Sequence, residues 1–217
     1  MCSSDLDVYV HKIKVLKGTV KTGQKISCNV DELNRNSSAR NHTATHLLQQ
    51  ALRDVLGSHV NQAGSSVDAE GLRFDFSHFE AMSAHEIKQT ESLVNEKIGL
   101  FLDVTTEEMS LADAEKSGAI GLFEDKYGDT VRVVAVGTYS RELCGGIHVK
   151  NSGQIGAFKI ISENGIASGV RRIEAVTGKA VLDMLNAKEA VTLKTAQLLK
   201  TIDNRSEERR VGKECRS

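Results

Sequence analysis

Apolar and polar positions change period along the chain, and each change marks an element. From Asn34 the apolar residues recur at helical spacing through Ala39, Ala44, Leu47, Ala51, Leu52 and Val55; His42 and His46 share the pattern, and Gly57 is a stop. Val60–Val67 and Leu72–Ser77 read as a strand pair around Asp68-Ala69-Glu70-Gly71. In the second strand Leu72, Phe74 and Phe76 alternate with Arg73, Asp75 and Ser77, the mark of a half-buried strand. Ser83-Ala84-His85-Glu86 is a capping box, in which Ser and Glu satisfy two free helix N–H groups reciprocally; the helix it opens has Ile87, Val94 and Ile98 on its inner face. Asp103–Glu108 reads as a strand, and Ser110 caps a short helix over Leu111–Lys116 that ends near Gly118. Thr130–Val136, Thr138–Leu143, Ile155–Ser162 and Val170–Val176 read as further strands. Thr177 onward is helical through Leu199, with Val181, Leu185, Leu193 and Leu198 among its apolar positions. Ahead of these, Asp7–Val30 has short apolar alternations broken at Lys17-Gly18 and Thr22-Gly23, with Gln24–Val30 as one more strand. Such a segment cannot form a core alone and reads as the last piece of a small β-barrel. The order predicts an α+β class: antiparallel sheets packed with helices, preceded by the end of a small β-barrel and followed by a linking helix.

Two pairs of residues on these elements carry candidate chemistry. His42 and His46 stand at i and i+4 of the first helix, about 40° apart around its axis, so both imidazoles can meet one ion. About a hundred residues later comes Leu143-Cys144-Gly145-Gly146-Ile147-His148, where two glycines let a tight loop fold a thiolate and an imidazole around one centre. Three His and one Cys suit one zinc ion. A metal-free Cys144–His nucleophilic dyad is the competing chemistry, and it leaves two of the three histidines unexplained. Four protein ligands normally close a structural site, whereas catalysis needs an open position, a weak ligand or chemistry beside the metal.

Charge and composition narrow the setting. With 28 Lys+Arg against 29 Asp+Glu there is no general basic coat for nucleic acid, although a local patch remains open. No apolar run is long enough for a membrane helix, and the N-terminus lacks a secretory signal. Four scattered Cys do not make a disulfide framework, so a reducing cytoplasm is the expected compartment. The ends follow none of the patterns above. Arg205–Ser217 is what a common sequencing adapter gives when translated in one frame, and Met1–Leu6 matches another. On that reading Cys2 and Cys215 carry no meaning, and the remainder is a piece of a longer protein.

The segments RNHTATHLL, LRFDFSHFEA, VNEKI, ELCGGIHV, GQIGAFKI and GVRRIEAVTG, in this order, resemble the editing domain of bacterial-type alanyl-tRNA synthetase over nearly all of Asp7–Lys200. The resemblance implies a zinc-dependent hydrolase that removes serine or glycine wrongly attached to alanine tRNA. It implies zinc ligands at His42, His46, Cys144 and His148, with Cys144 also needed for catalysis. Thr45 matches a hydroxyl residue that recognises the serine side chain, and Gln62 a pocket residue that affects editing; Gln62 cannot titrate and so can only orient. The implied organisation is a barrel end over 7–32, an editing domain over 33–176 and a linking helix over 177–204, between adapter-derived 1–6 and 205–217. Aminoacylation and C-terminal tRNA-binding domains of the same polypeptide lie outside it. One departure stands out: Ile147 occupies a place where the family usually has Thr, which removes a hydroxyl near the site.

A second hydrolytic site makes physical sense. A pocket built for alanine rejects an added hydroxyl only about 10²-fold, whereas a polar pocket can welcome that hydroxyl. For the RNA itself, Arg40 before the histidine motif and Arg172 are the candidate contacts; Arg171 and Arg172 point to opposite faces of a strand, so at most one meets RNA. The other reading is a tRNA-binding module whose zinc is purely structural and whose hydrolysis is impaired.

Overall fold

The computed structural model describes residues 2–3, 10–121 and 129–199. Most of the adapter-like ends, together with Val8, lie outside the described residues. The chain divides between Asp31 and Glu32 into two compact units.

In the first unit β1 (Cys2–Ser3) pairs antiparallel with β2 (Val10–His11). The expected strand at Gln24–Val30 is not formed, which corrects the sequence reading. A strand persists only inside a ladder, and no other strand pairs with this segment among the described residues. Ile26 and Val30 are accordingly exposed. The turns are present all the same: Gly18 and Gly23 have positive φ, and the Lys21 N–H donates to Gln24 Oε1 at 3.2 Å.

The second unit is built on α1 (Glu32–Leu56). Thr43 through Gln49 are buried without a break, so the middle of the helix is enclosed on all sides, while its first turn is exposed. Gly57, at φ 117, ends it in a conformation costly for any other residue. Around α1 stand α2 (Ala84–Gly99) and a four-stranded antiparallel sheet of β3 (Gln62–Val67), β4 (Leu72–Ser77), β8 (Phe158–Ala167) and β9 (Val170–Thr177), in the order β3-β4-β9-β8. Leu47, Leu48 and Leu52 of α1 meet Phe74 and Phe76 of β4, Ile173 of β9, Phe158 of β8 and Val94 of α2 in one apolar core. Each such side chain contributes about 1.5–3 kcal/mol when fully buried.

A second antiparallel sheet, ordered β5-β6-β7, joins β5 (Val104–Ser110), β6 (Thr130–Val136) and β7 (Ser140–Leu143). One face carries Val131 and Val133 with Ala114 of α3 (Leu111–Lys116) in a smaller apolar cluster. The opposite face brings Val136 into the main core and Glu142 toward α1. The chain closes with α4 (Lys179–Leu198), of which Val181 alone is buried among the described residues. The α+β class holds, with antiparallel sheets and four α-helices among the described residues. Strand starts differ by a few residues from expectation: β7 begins at Ser140, and β8 at Phe158, because Ile155 belongs to a 3₁₀ turn over Ser152–Ile155. No described helix is long and apolar enough to cross a membrane.

Candidate metal centre

Buried polar bonds fix which way α1 faces. The Thr177 hydroxyl donates to Asn41 Oδ1 at 2.6 Å, and Asn41 Nδ2 donates to the Asp68 carbonyl at 2.9 Å. With Asn41 so tied, His42 and His46 point, one turn apart, toward the loop that follows β7. That loop is held from the other side by Arg132 of β6, whose Nη1 donates to the carbonyls of Cys144 (3.0 Å) and Gly146 (2.5 Å). The Cys144 N–H returns a bond to the Arg132 carbonyl at 3.0 Å. A strand neighbour and a helix turn therefore place the two half-sites against each other.

One donor atom from each of His42, His46, Cys144 and His148 falls within 4.8 Å of the others. Cys144 Sγ lies 3.4 Å from His42 Nε2 and 3.3 Å from His148 Nε2. Zinc bonds of about 2.0–2.3 Å in a tetrahedron put neighbouring donors about 3.5 Å apart, so these separations suit one ion. Gly146 makes the approach possible: a Cβ there would stand 2.0 Å from His42 Cε1. The backbone of Ile147 hydrogen-bonds the His42 ring. Any residue at 147 can make a main-chain contact, so the Thr-to-Ile departure leaves it intact.

Thr43 sets the state of His148. Its hydroxyl donates to the Ala39 carbonyl at 2.9 Å and accepts the Val149 N–H at 3.2 Å. The remaining contact, 3.1 Å from His148 Nδ1, must then be donated by the imidazole. That tautomer leaves the Nε2 lone pair free beside Cys144. His46 turns Nε2 toward Glu142 Oε2 at 3.6 Å, while its Nδ1 is buried without a hydrogen-bond partner. A buried nitrogen with nothing to bond is costly unless it ligates an ion.

Burial governs the protonation of the cluster. Desolvation lowers His42, lowers His46 well below the usual histidine range, and takes His148 down to about 3; the neighbouring imidazoles add to the shifts of His46 and His148. All three rings are neutral at pH 7 and able to ligate. Desolvation also pushes the Cys144 thiol up, against the Gly146 N–H that accompanies it. A bound cation would reverse that direction, since a coordinating thiol is deprotonated. Glu142, 6% exposed, is raised to about 8 by burial despite the bond from Ser140 Oγ. Its contact with His46 is thus one between neutral groups, not an ion pair. The donor set, the orphaned Nδ1 and the cleared space at Gly146 all fit a zinc-like ion.

The other candidate residues stand at varied distances from this centre. Gln62 shares a cavity of about 100 Å³ with Gln49, Asn61 and Glu142, walled by Ile120, Gly121 and Leu143. Thr45 is buried in α1 and its hydroxyl donates to the Asn41 carbonyl at 2.9 Å. Arg40 lines a larger cavity onto which His148 opens. Arg172 makes a bidentate pair with Asp75, at 2.7 and 2.9 Å, and Arg171 pairs with Glu163. Thr43, Arg132 and Glu142 support the site without having been singled out from sequence. Glu142 had a usable signal: two positions before Cys144 on a strand, it faces the helix that carries the histidines.

Residues 131–174, which include Cys144 and His148, match the family of the threonyl and alanyl tRNA synthetase second additional domain. Fold and site thus define a domain of the kind found in these synthetases. Over most of the chain the resemblance is narrower. It is 53% identical over 192 residues to alanine–tRNA ligase of Listeria innocua, covering 88% of this chain and 22% of that protein. It is 56% identical over 185 residues to alanine–tRNA ligase of Thermotoga maritima, covering 85% and 21%. The Acetivibrio thermocellus alanine–tRNA ligase is 53% identical over 193 residues, covering 89% and 22%. The chain belongs to the alanine–tRNA ligase family as a segment, spanning about a fifth of the length of these relatives.

Proposed function

We propose that this segment is the editing part of an alanine–tRNA ligase, a zinc-dependent hydrolase that cleaves the ester of alanine tRNA carrying serine or glycine. The observation that carries the reading is the convergence of His42, His46, Cys144 and His148 from two segments a hundred residues apart. Zinc held there supplies Lewis acidity for an ester carbonyl. The chain's own residues do the sorting. The cavity of about 100 Å³ beside Glu142 is small and polar, and Gln49 and Gln62 offer amide donors and acceptors to an amino group or a serine hydroxyl. Thr45, one turn before Gln49 on α1, spends its proton on the Asn41 carbonyl and keeps an oxygen lone pair able to accept a further hydrogen bond. Alanine offers no hydroxyl to these groups, so it loses the contact.

Arg40 is the RNA contact kept from the sequence reading, whereas the Arg172 guanidinium is committed to Asp75. The reading also implies a cytoplasmic enzyme whose aminoacylation and C-terminal tRNA-binding domains belong to the same polypeptide. Four protein donors favour a second reading, a tRNA-binding module with a closed structural zinc. Rates of serine, glycine and alanine release from correspondingly charged alanine tRNA decide between them. Faster release of serine and glycine than of alanine is expected. Equal release of all three, or none above the uncatalysed rate, contradicts the editing reading.

A further inference from the structure

The small cavity beside Glu142 is polar on most sides, and Ile120 closes it on another. The Ile120 N–H donates to the Arg141 carbonyl at 2.8 Å and its carbonyl accepts the Leu143 N–H at 2.8 Å, so Ile120 runs parallel to β7 and opposite Glu142. Residues paired across neighbouring strands present their side chains on one face, which puts Ile120 on the Glu142 side, toward the cavity. Ala119 and Leu143 alternate to the other face and pack in the smaller apolar cluster. Leu143 comes up against Gly121 there: a Cβ at 121 would stand 2.6 Å from Leu143 Cδ1. Two main-chain bonds and that close contact therefore hold the wall in place. Ile120 itself is half-buried and belongs to neither apolar cluster among the described residues. The polar side chains around the cavity are tied as well. Gln62 Nε2 donates to Ser65 Oγ at 3.1 Å, Asn61 Oδ1 accepts from Arg53 at 3.3 Å, and Glu142 Oε1 accepts from Ser140 at 3.1 Å.

We infer that Ile120 sets the upper size limit of the acyl group, so that the cavity admits a glycyl or seryl group and refuses a threonyl group. This rests on reading the site as one that acts on an aminoacyl ester. A cavity of about 100 Å³ has room for about three groups of water size, at about 30 Å³ each. The amino nitrogen, Cβ and hydroxyl of serine are three such groups, and threonine adds a methyl on the same Cβ. With the hydroxyl turned to the amides of Gln49 and Gln62, that methyl meets Ile120, whose main chain is bonded on both sides and cannot retreat. Overfilling a tied space forces side chains off their preferred rotamers. The two neighbours of serine are thus refused by different walls: alanine finds no partner for the polar side, and threonine finds no room beside Ile120.

The test is isothermal titration of the chain with the 3′-seryl, 3′-threonyl and 3′-glycyl amides of 3′-amino-3′-deoxyadenosine. An amide replaces the ester in these compounds, so affinity is read without turnover. The parent chain should bind the seryl compound at least about tenfold more tightly than the threonyl one, the scale of discrimination that one methyl group supports. Ile120→Ala should bring the two within about threefold of each other, with Ile120→Val in between. Ile120→Phe should act in the opposite direction, weakening the seryl compound about tenfold more than the glycyl one. A role in the fold alone would move all three affinities together. The bonds of residue 120 to β7 are main-chain bonds, so these variants should keep the circular dichroism of the parent. Equal binding of the seryl and threonyl compounds by the parent, binding of neither, or an unchanged ratio in folded Ile120→Ala would overturn the assignment. Ratios that move as stated, without serine release from seryl-charged alanine tRNA, would count against the editing reading and leave the size limit standing.

Discussion

At Cys144 the local environment and the proposed chemistry pull in opposite directions. Burial holds the thiol protonated, and only a cation beside it makes the thiolate the stable form. Cys144→Ala should therefore lose bound zinc and release serine no faster than buffer. Its far-UV circular dichroism should stay that of the parent chain, because the main core is assembled from α1, α2 and the four-stranded sheet. Glu142 acts one step further out, through His46. Outer groups of this kind typically set metal affinity by 10–100-fold. Glu142→Gln should weaken zinc binding about tenfold in competition with a chromogenic chelator; an unchanged affinity would remove Glu142 from the site's support. Thr43→Val should act similarly, since the valine cannot accept the proton that fixes the His148 tautomer.

Among the elements, those with strong local signals were the most legible. The capping box at Ser83 is present in full: the Glu86 N–H donates to Ser83 Oγ at 3.2 Å and the Ser83 N–H to Glu86 Oε2 at 2.7 Å. Ser110 caps α3 over the expected Leu111–Lys116. Leu72, Phe74 and Phe76 share the core face of β4, as their alternation requires. Partners distant in sequence were the less legible part. Gln24–Val30 has the composition of a strand but no ladder to join among the described residues, and Arg172 meets Asp75 only because β9 lies beside β4. The ligands were readable because they come as two short motifs, whereas Thr43 and Arg132 act through bonds across 105 and 14 residues that no local pattern encodes. Two stability measurements test the element-level picture in urea. Ser83→Ala should cost about 1 kcal/mol by losing one cap. Leu47→Ala should cost about 2–5 kcal/mol, because Leu47 is fully buried in the main core.

For the molecule as a whole, the buried histidines couple stability to pH. In the metal-free chain His42, His46 and His148 are depressed from 6.5 when folded, so below that pH the unfolded state binds more protons and stability falls with acid toward about 3, the His148 value. Glu142 works in the opposite sense. Raised from 4.5 to about 8, it stabilises fully below 4.5, and its contribution is lost as pH rises through 8. Three groups outweigh one on the acid side, so the thermal midpoint of the metal-free chain should peak near neutral pH, fall steeply on acidification and decline gently toward pH 8. A midpoint that rises between pH 7 and pH 5 would contradict the neutral, buried cluster.

The central claim is that the four residues hold one zinc ion which ester hydrolysis requires. It is tested most directly by following serine release from seryl-charged alanine tRNA while counting bound zinc, before chelation, after chelation and after zinc is returned. One zinc per chain, turnover lost with the metal and regained with it, and neither in Cys144→Ala is the predicted result. Turnover that survives removal of the metal would contradict the claim and favour the metal-free cysteine hydrolase. A folded, zinc-loaded chain with no turnover on this substrate would contradict it as well, leaving the zinc structural.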